Sequence, residues 1–353
     1  MTIRFDNRVA VVTGAGAGLG REHALGLAAR GAKVVVNDFG GGVDGSSGSS
    51  APAEETVAMI KSAGGDAFAH GADVSNPEQV GDMVAKAIRD WGRIDILVNN
   101  AGILRDRAFG KMSMEDWDAV VRVHLTGAVT CTMAVWPHMK EAGYGRIVMT
   151  SSSSGIYGNF GQSNYGAAKM AVVGLMNVLH IEGAKNNIRV NTLAPGAATR
   201  MTQDLLPAPV IALMDPKTVT PGLLYLVSED APSRAILCAT AGGFARTFIL
   251  ETEGIHLDAD NCTPEQVAAQ WDAISNQTIQ HAYETGGPQV MKFVDEATIE
   301  VAAGDGGTVM LGLQNEREWK VFCEVVLGDA ALASDARFCT NALRNTNRAQ
   351  LKQ

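Results

Sequence analysis

TGAGAGLG, residues 13–20, stands directly after the apolar run VAVV at 9–12 and opens a helical pattern. Glycines placed there allow a tight turn whose backbone N–H groups can approach a diphosphate at the N-terminus of the helix. A glycine string alone is weak evidence. Here it heads a unit that closes on KVVVND, ending at Asp38, and a span of about thirty residues with an acidic end is the spacing of a dinucleotide-binding βαβ unit. A carboxylate at that strand end can take both hydroxyls of an adenosine ribose and would repel a 2′-phosphate, so the pattern predicts NAD rather than NADP. Ala17, just before Gly18, supplies no base for such a phosphate.

Outward from this unit, β-rich runs recur as DILVNN at 95–100, GRIVMT at 145–150 and NIRVNTLAP at 187–195. The stretches 77–91 and 113–139 carry apolar residues at helical spacing, with Pro or acidic residues near their starts. This alternation predicts an α/β fold, a Rossmann-type doubly wound parallel sheet with helices on both faces. Asp73-Val74 and Asn99-Asn100-Ala101-Gly102 close two further strands at the same crevice, as cofactor contacts or as plain turns. GGGVDGSSGSS, 40–50, has the composition of a surface linker. Beyond Gly254 the βα rhythm stops, and Thr263-Pro264-Glu265 caps a helix expected to run through Ile274. The expected organisation is a catalytic domain over 1–254, a helical C-terminal extension over 255–304, and a last segment over 305–353.

Composition excludes several classes of function. With 46% apolar and 19% charged residues the chain is one that folds. A net charge of -9, offset by no basic cluster, argues against a nucleic-acid partner. The five cysteines, at 131, 238, 262, 323 and 339, show no CxxC or Cys/His spacing, which predicts no metal site and free thiols in the cytoplasm. The start MTIRFDNRVAVVTGAG forms a strand pattern in place of a signal peptide. The most apolar helix candidate, 167–181, is too short to span a bilayer, so no membrane partner is expected.

The chemistry lies in SSSSGIYGNFGQSNYGAAK, 151–169. Tyr165 and Lys169, at i and i+4, share one helix face. A phenol titrates near about 10, and a neighbouring ammonium favours its ionised form, which makes it a usable base. Upstream, Ser152 closes the GRIVMT strand, where its hydroxyl can hold an oxygen on which charge develops. In isolation such a set arises by chance; beside the glycine turn it reads as catalytic.

TGAGAGLG, NNAG, the serine and YGAAK, in this order, resemble the short-chain dehydrogenase/reductase family over about residues 5–250. VVVNDFGG, NNAGILRDR, WDAVVRVHLTG and TRMTQD more narrowly resemble the (3R)-hydroxyacyl-CoA dehydrogenase part of peroxisomal multifunctional enzyme type 2. The resemblance implies catalytic roles for Ser152, Tyr165 and Lys169. It implies cofactor roles for Gly14, Gly18, Leu19, Gly20, Asp38, Asp73, Val74 and Asn99, together with Ala101, Gly102, Pro195, Thr199, Tyr165 and Lys169. It also implies a small-molecule substrate, acyl-CoA or steroid-like, and a homodimer or homotetramer assembled through the helical stretches at 113–139 and 164–181. Two positions depart from the family pattern. His124 stands where many members have a relay asparagine, and is either a packed histidine or a proton relay. The threonine expected after Pro195-Gly196 comes one residue early, at Thr199. Arg105 and Arg107, at the catalytic edge of the sheet, are either contacts for CoA phosphates or solvated side chains.

From about Gly306 the chain resembles an internal stretch of family III CoA-transferases that lacks that family's nucleophile, so a non-catalytic helical remnant is expected. Three activities compete: the dehydrogenase, which needs Ser152, Tyr165 and Lys169 intact; a non-catalytic NAD-binding protein, which does not; and a CoA-transferase, which needs a domain this chain lacks. Between substrates, a free hydroxysteroid is the alternative to the hydroxyacyl-CoA.

Overall fold

The computed structural model describes residues 2–46, 49–199, 207–257, 262–296, 300–302, 308–310, 316–325 and 327–339. Internal contacts divide the chain into Met1–Thr247 and Phe248–Gln353, a division that falls before the expected Gly254.

In the first unit the strands β1 (Val9–Thr13), β2 (Lys33–Asn37), β3 (Ala67–His70), β4 (Ile96–Asn99), β5 (Gly145–Thr150), β6 (Ile188–Gly196) and β7 (Ile236–Thr240) run parallel, and β8 (Gly243–Thr247) returns antiparallel to β7. Their order is β3-β2-β1-β4-β5-β6-β7-β8. The order reverses between β1 and β4, and a doubly wound sheet opens its crevice at the carboxyl ends of such a pair. The helices are α1 (Gly18–Ala28), α2 (Ala51–Ser62), α3 (Pro77–Trp91), α4 (Met114–Val121), α5 (Gly127–Ala142), α6 (Ser153–Tyr157), α7 (Ser163–Gly183), α8 (Ala208–Leu213) and α9 (Thr220–Leu226).

Alternation along β1 explains its unbroken apolar run. Ala10 and Val12 pack beneath α1, α2 and α9, while Val9 and Val11 pack beneath α3, α5 and α7. Both faces are dry, so both parities must be apolar. Three strands of this sheet escape the sequence reading: β3 is four residues of AFAH at the sheet edge, and β7 and β8 are short strands whose second member is largely exposed. The helix expected over 113–139 is instead two α-helices joined by a π-helical turn, Arg122–Thr126, with Pro137 inside the second. Among the described residues, Met114–Ala142 is one run long and apolar enough to cross a membrane by length and composition. Its Cys131, Val135 and Met139 are spent against the sheet.

In the second unit Thr263 caps its helix as expected, its Oγ1 accepting from the Gln266 N–H at 3.2 Å. That helix covers Pro264–Ala269 and restarts as Trp271–Ile274 after a break at Gln270. The tail forms a helix over Glu316–Val325. Trp319 and Phe322 are buried with Cys323 and Phe338, whereas Val325 is 75% exposed. Val326, the Gly304 boundary and parts of the CoA-transferase-like stretch lie outside the described residues.

At the end of the sheet opposite the crevice, the fully buried Asp95 accepts from the Val9 N–H (2.9 Å), from Arg93 (2.6 and 2.8 Å) and from Arg8 (3.1 Å). Asp95→Ala leaves a buried N–H and the Arg93 guanidinium without their acceptor and removes one of the two carboxylates that hold Arg8, and is expected to cost about 3 kcal/mol of folding stability. Denaturant unfolding checks this, with kinetic constants of the folded fraction expected to stay at wild-type values.

Candidate active site

The β1–α1 turn is built on close backbone approach. Gly14 and Gly18 have φ of +62° and +54°, and a Cβ on Gly20 would lie 2.1 Å from the Gly14 carbonyl oxygen. No other residue fits Gly20 without moving the turn. The turn forms the floor of a crevice of about 260 Å³ at the reversal point of the sheet. Of the expected cofactor residues, Gly14, Gly18, Leu19, Gly20 and Asp38 line it from the first βαβ unit, and Asp73, Val74, Ala101, Gly102 and Thr199 from later strand ends. Thr199 stands against Gly18, its Cγ2 3.3 Å from where a Cβ would be. Pro195 ends β6 outside this lining, and the rest of TRMTQD lies outside the described residues.

Asn99 also lies outside this lining. Its carboxamide turns away from the crevice and donates to Thr132 Oγ1 (3.1 Å) and Met149 Sδ (3.3 Å). Strand parity is the reason, because Asn99 shares its face of β4 with Leu97, over α5. The neighbouring Asn100 lines the crevice instead, and its Nδ2 donates to the carbonyls of Thr13 (3.0 Å) and Gly14 (3.1 Å). Thr13 Oγ1 accepts in return from the N–H groups of Asn100 and Ala101, both at 3.0 Å. The glycine turn and NNAG are thus one hydrogen-bonded frame.

Asp38 is held for ligand contact, with Oδ2 accepting from the Gly16 N–H (2.7 Å) and Oδ1 from the Gly40 N–H (2.6 Å). Each carboxylate oxygen keeps a further lone pair for a hydroxyl. The crevice, the glycine cradle and this carboxylate fit a dinucleotide. The stretch after Asp38 is more than the expected linker: Gly41, Gly42, Val43 and Gly45 line the crevice. It is tied to the loop after β4, Val43 O accepting from the Leu104 N–H (2.9 Å) and Asp44 O from Arg105 Nε (3.0 Å). Arg105 also pairs with Asp116 at 3.4 Å and is committed there, while Arg107 is exposed and donates to its neighbour's carbonyl, Asp106 O, at 2.8 Å.

Ser152, Tyr165 and Lys169 meet beside this crevice. Lys169 Nζ donates to Thr150 O at 2.6 Å and lies 5.5 Å from the centre of the Tyr165 ring. Burial pushes the Lys169 ammonium down to about 7. Burial also raises the Tyr165 phenol, the Ser152 hydroxyl acting in the lowering direction and the Asp106 carboxylate in the raising one. In the chain by itself, desolvation outweighs the Ser152 hydroxyl and leaves the phenol above its ordinary value.

His124, on the π-helical turn, packs edge-on to the Tyr165 ring with centroids 5.1 Å apart. Its Nε2 contacts the backbone of Ile103, 2.7 Å from the oxygen and 3.1 Å from the nitrogen. Burial and the Lys169 charge keep the imidazole neutral, well below its usual range. Only glycine allows this placement, since a Cβ on Gly102 would come within 2.2 Å of the ring. Asn99, His124, Thr150 and Lys169 line an inner cavity of about 10 Å³ that adjoins the crevice at Val74, Ala101 and Val123. That is room for one water molecule between polar groups.

Residues 8–209 match the family model described as short chain dehydrogenase. A short-chain type dehydrogenase/reductase of Mycobacterium tuberculosis is 48% identical over 272 residues, covering 77% of this chain and 95% of that protein. The peroxisomal multifunctional enzyme type 2 of Mus musculus is 46% identical over 308 residues, covering 84% of this chain and 41% of that protein, so the chain spans less than half of the mouse enzyme. The structure of the full-length peroxisomal multifunctional enzyme type 2 of Drosophila melanogaster superposes with a TM-score of 0.70 at 37% identity, over 84% of this chain and 50% of that one. A 7α-hydroxysteroid dehydrogenase complexed with NADH and 7-oxo glycochenodeoxycholic acid superposes with a TM-score of 0.62 at 30% identity, over 68% and 95%. The chain belongs to the short-chain dehydrogenase/reductase family.

Proposed function

We propose that this dehydrogenase oxidises a (3R)-hydroxyacyl-CoA to the 3-oxoacyl-CoA with NAD. The observation that carries the reading is the meeting of Ser152, Tyr165 and Lys169 beside a dinucleotide-sized crevice closed by Asp38. Similarity to the multifunctional enzymes supports the acyl-CoA class. Similarity to the 7α-hydroxysteroid dehydrogenase supports a free hydroxysteroid as the second reading. A panel of hydroxyacyl thioesters and hydroxysteroids, followed at 340 nm with NAD and with NADP, separates the two; no turnover of any alcohol would leave only an NAD-binding protein.

Bound NAD supplies the hydride acceptor. The chain's own residues do the rest: Ser152 Oγ–H donates to the reacting oxygen, and Tyr165 Oη removes the hydroxyl proton. Lys169 is placed to hold a ribose and to favour the tyrosinate. His124 and the inner cavity beside Lys169 provide the path by which the proton reaches solvent. Exposed apolar side chains on α5 and α7, Met133, Met170, Val178 and Ile181, support a homodimer or homotetramer through these helices. The five cysteines, none of them in a disulfide among the described residues, support a cytoplasmic setting.

NAD is expected to outperform NADP in kcat/KM, and Asp38→Ser to narrow the ratio, because removing the carboxylate removes the like-charge penalty on a 2′-phosphate. Comparable constants for both cofactors in the wild type would contradict the assignment. Tyr165→Phe is expected to lower kcat by roughly two to four orders of magnitude with NAD affinity nearly unchanged in a direct titration. Because the base must be deprotonated and its phenol is raised, alcohol oxidation is expected to climb with pH through neutrality, while the reverse reduction, which uses the protonated phenol, falls at the alkaline end. Removing the exposed Arg107 charge should raise KM for the CoA ester but not for a truncated thioester; equal effects on both would place it outside the phosphate contacts.

A further inference from the structure

The loop after β4 and the segment entering α7 are stitched together behind the reacting pair. Arg107 N–H donates to Gly161 O at 2.9 Å. Next to this bond, Asp106 Oδ2 accepts from Gln162 Nε2 at 2.7 Å. The other end of that carboxamide, Gln162 Oε1, accepts from Ser154 Oγ at 2.7 Å and from Asn159 Nδ2 at 3.1 Å. The Ser154 N–H in turn donates to Ser152 Oγ at 3.2 Å.

The direction of every bond in this chain follows from Asp106. A carboxylate only accepts, so Gln162 must present its NH₂ to Asp106 and its oxygen to Ser154. An amide oxygen only accepts, so the Ser154 hydroxyl is spent as a donor to Gln162 and cannot compete for Ser152. Ser152 Oγ receives the Ser154 backbone N–H, and its own hydroxyl hydrogen is left to face the Tyr165 phenol and a substrate oxygen held beside it. Gln162 is 9% exposed, so water does not readily substitute for its partners. Asp106 Oδ1 is itself buried with no hydrogen-bond partner among the described residues, a costly state for a carboxylate if its purpose were only to accept one amide bond.

We propose that Asp106, acting through Gln162 and Ser154, is a positioning residue that fixes the Ser152 hydroxyl as the donor facing the reacting oxygen beside Tyr165. The inference rests on the reading of Ser152 and Tyr165 as the reacting pair. Tyr165 is faced by Asp106 from the loop after β4, by Ser152 after β5, by His124 from the π-helical turn, and by Lys169 one turn along its own helix. Asp106 is the one negative charge in that set.

The test is the oxidation of (3R)-hydroxydecanoyl-CoA with NAD by the full chain. Asp106→Ala and Gln162→Ala should each lower kcat about tenfold or more, the scale of a displaced reacting group, with KM for NAD unchanged. The double variant should lose no more than the worse single one, as members of one chain do. Asp106→Asn keeps an acceptor for Gln162 and removes the charge. It should restore kcat at the high-pH plateau to within about threefold of wild type, and shift the pH profile of oxidation to lower pH, because a carboxylate that opposes the tyrosinate is gone. Wild-type kcat and pH profile in Asp106→Ala would overturn the inference, as would losses that Asp106→Asn fails to rescue and that track a lowered melting temperature. Tyr165→Phe is the control: normal turnover in that variant would sink the reading of the reacting pair, whereas an inactive Tyr165→Phe beside a fully active Asp106→Ala would sink only the role of Asp106.

Discussion

The contact on which the site depends is the one between the glycine turn and the end of β4. The Asn100 N–H donates to Thr13 Oγ1, and the Asn100 carboxamide closes on the carbonyls of Thr13 and Gly14. These carbonyls precede the helix and have no ladder partner, so a side chain must satisfy them. The geometry leaves no slack: a Cβ on Gly14 would lie 2.8 Å from Ala101 Cα, and one on Gly20 would collide with the Gly14 carbonyl. Because β1 and β4 are also hydrogen-bonded neighbours, this frame joins the crevice floor to the strand whose continuation carries Gly102, Ile103 and Asp106. Cofactor cradle and reacting groups are therefore set by a single rigid junction.

Burial does most of the electrostatic work. Lys169 is pushed toward neutrality and His124 held neutral, while the Tyr165 phenol is raised. Each shift disfavours the charged form, the signature of desolvation and not of a tight ion pair. In such surroundings a charge introduced by a ligand acts strongly, because little water screens it. The pair is poised to change ionisation when the crevice fills, in keeping with a reaction that moves a proton only in step with a hydride.

The fold was legible where periodicity was strong. VAVVT, KVVVND, ILVN and GRIVMT are buried on both faces and read as apolar runs, whereas AFAH at the sheet edge carries too little β-branched character to stand out. The motif positions of the site were legible because backbone geometry demands glycine and because Tyr165 and Lys169 share a helix face. Which asparagine of NNAG meets the crevice was not: it depends on strand parity carried across to Thr132 and Met149. Neither was the part played by 40–46. Its glycines signal freedom of φ, and only the partners Leu104 and Arg105, far along the chain, turn that freedom into a wall. Gln162 and Asp106 likewise look like ordinary loop residues until the loop after β4 pairs with the entry to α7.

The π-helical turn at Arg122–Thr126 shows how local irregularity and site geometry are coupled. A regular helix over Met114–Ala142 would hold a fixed register of i to i+4 bonds; one wider turn inserts a residue and rotates everything before it. His124 sits within that turn, and its ring enters the space left by the missing Cβ of Gly102, touching the backbone of Ile103 on one side and the face of Tyr165 on the other. The same glycine thus serves two neighbours at once: it lets the crevice wall run close to the cofactor space and lets an aromatic ring brace the phenol from behind. A side chain at 102 would have to displace either the wall or the ring. Displacing the ring would free Tyr165 to leave the position in which Ser152 and Lys169 both reach it, so the helix defect and the glycine are two halves of one device for holding the tyrosine in place.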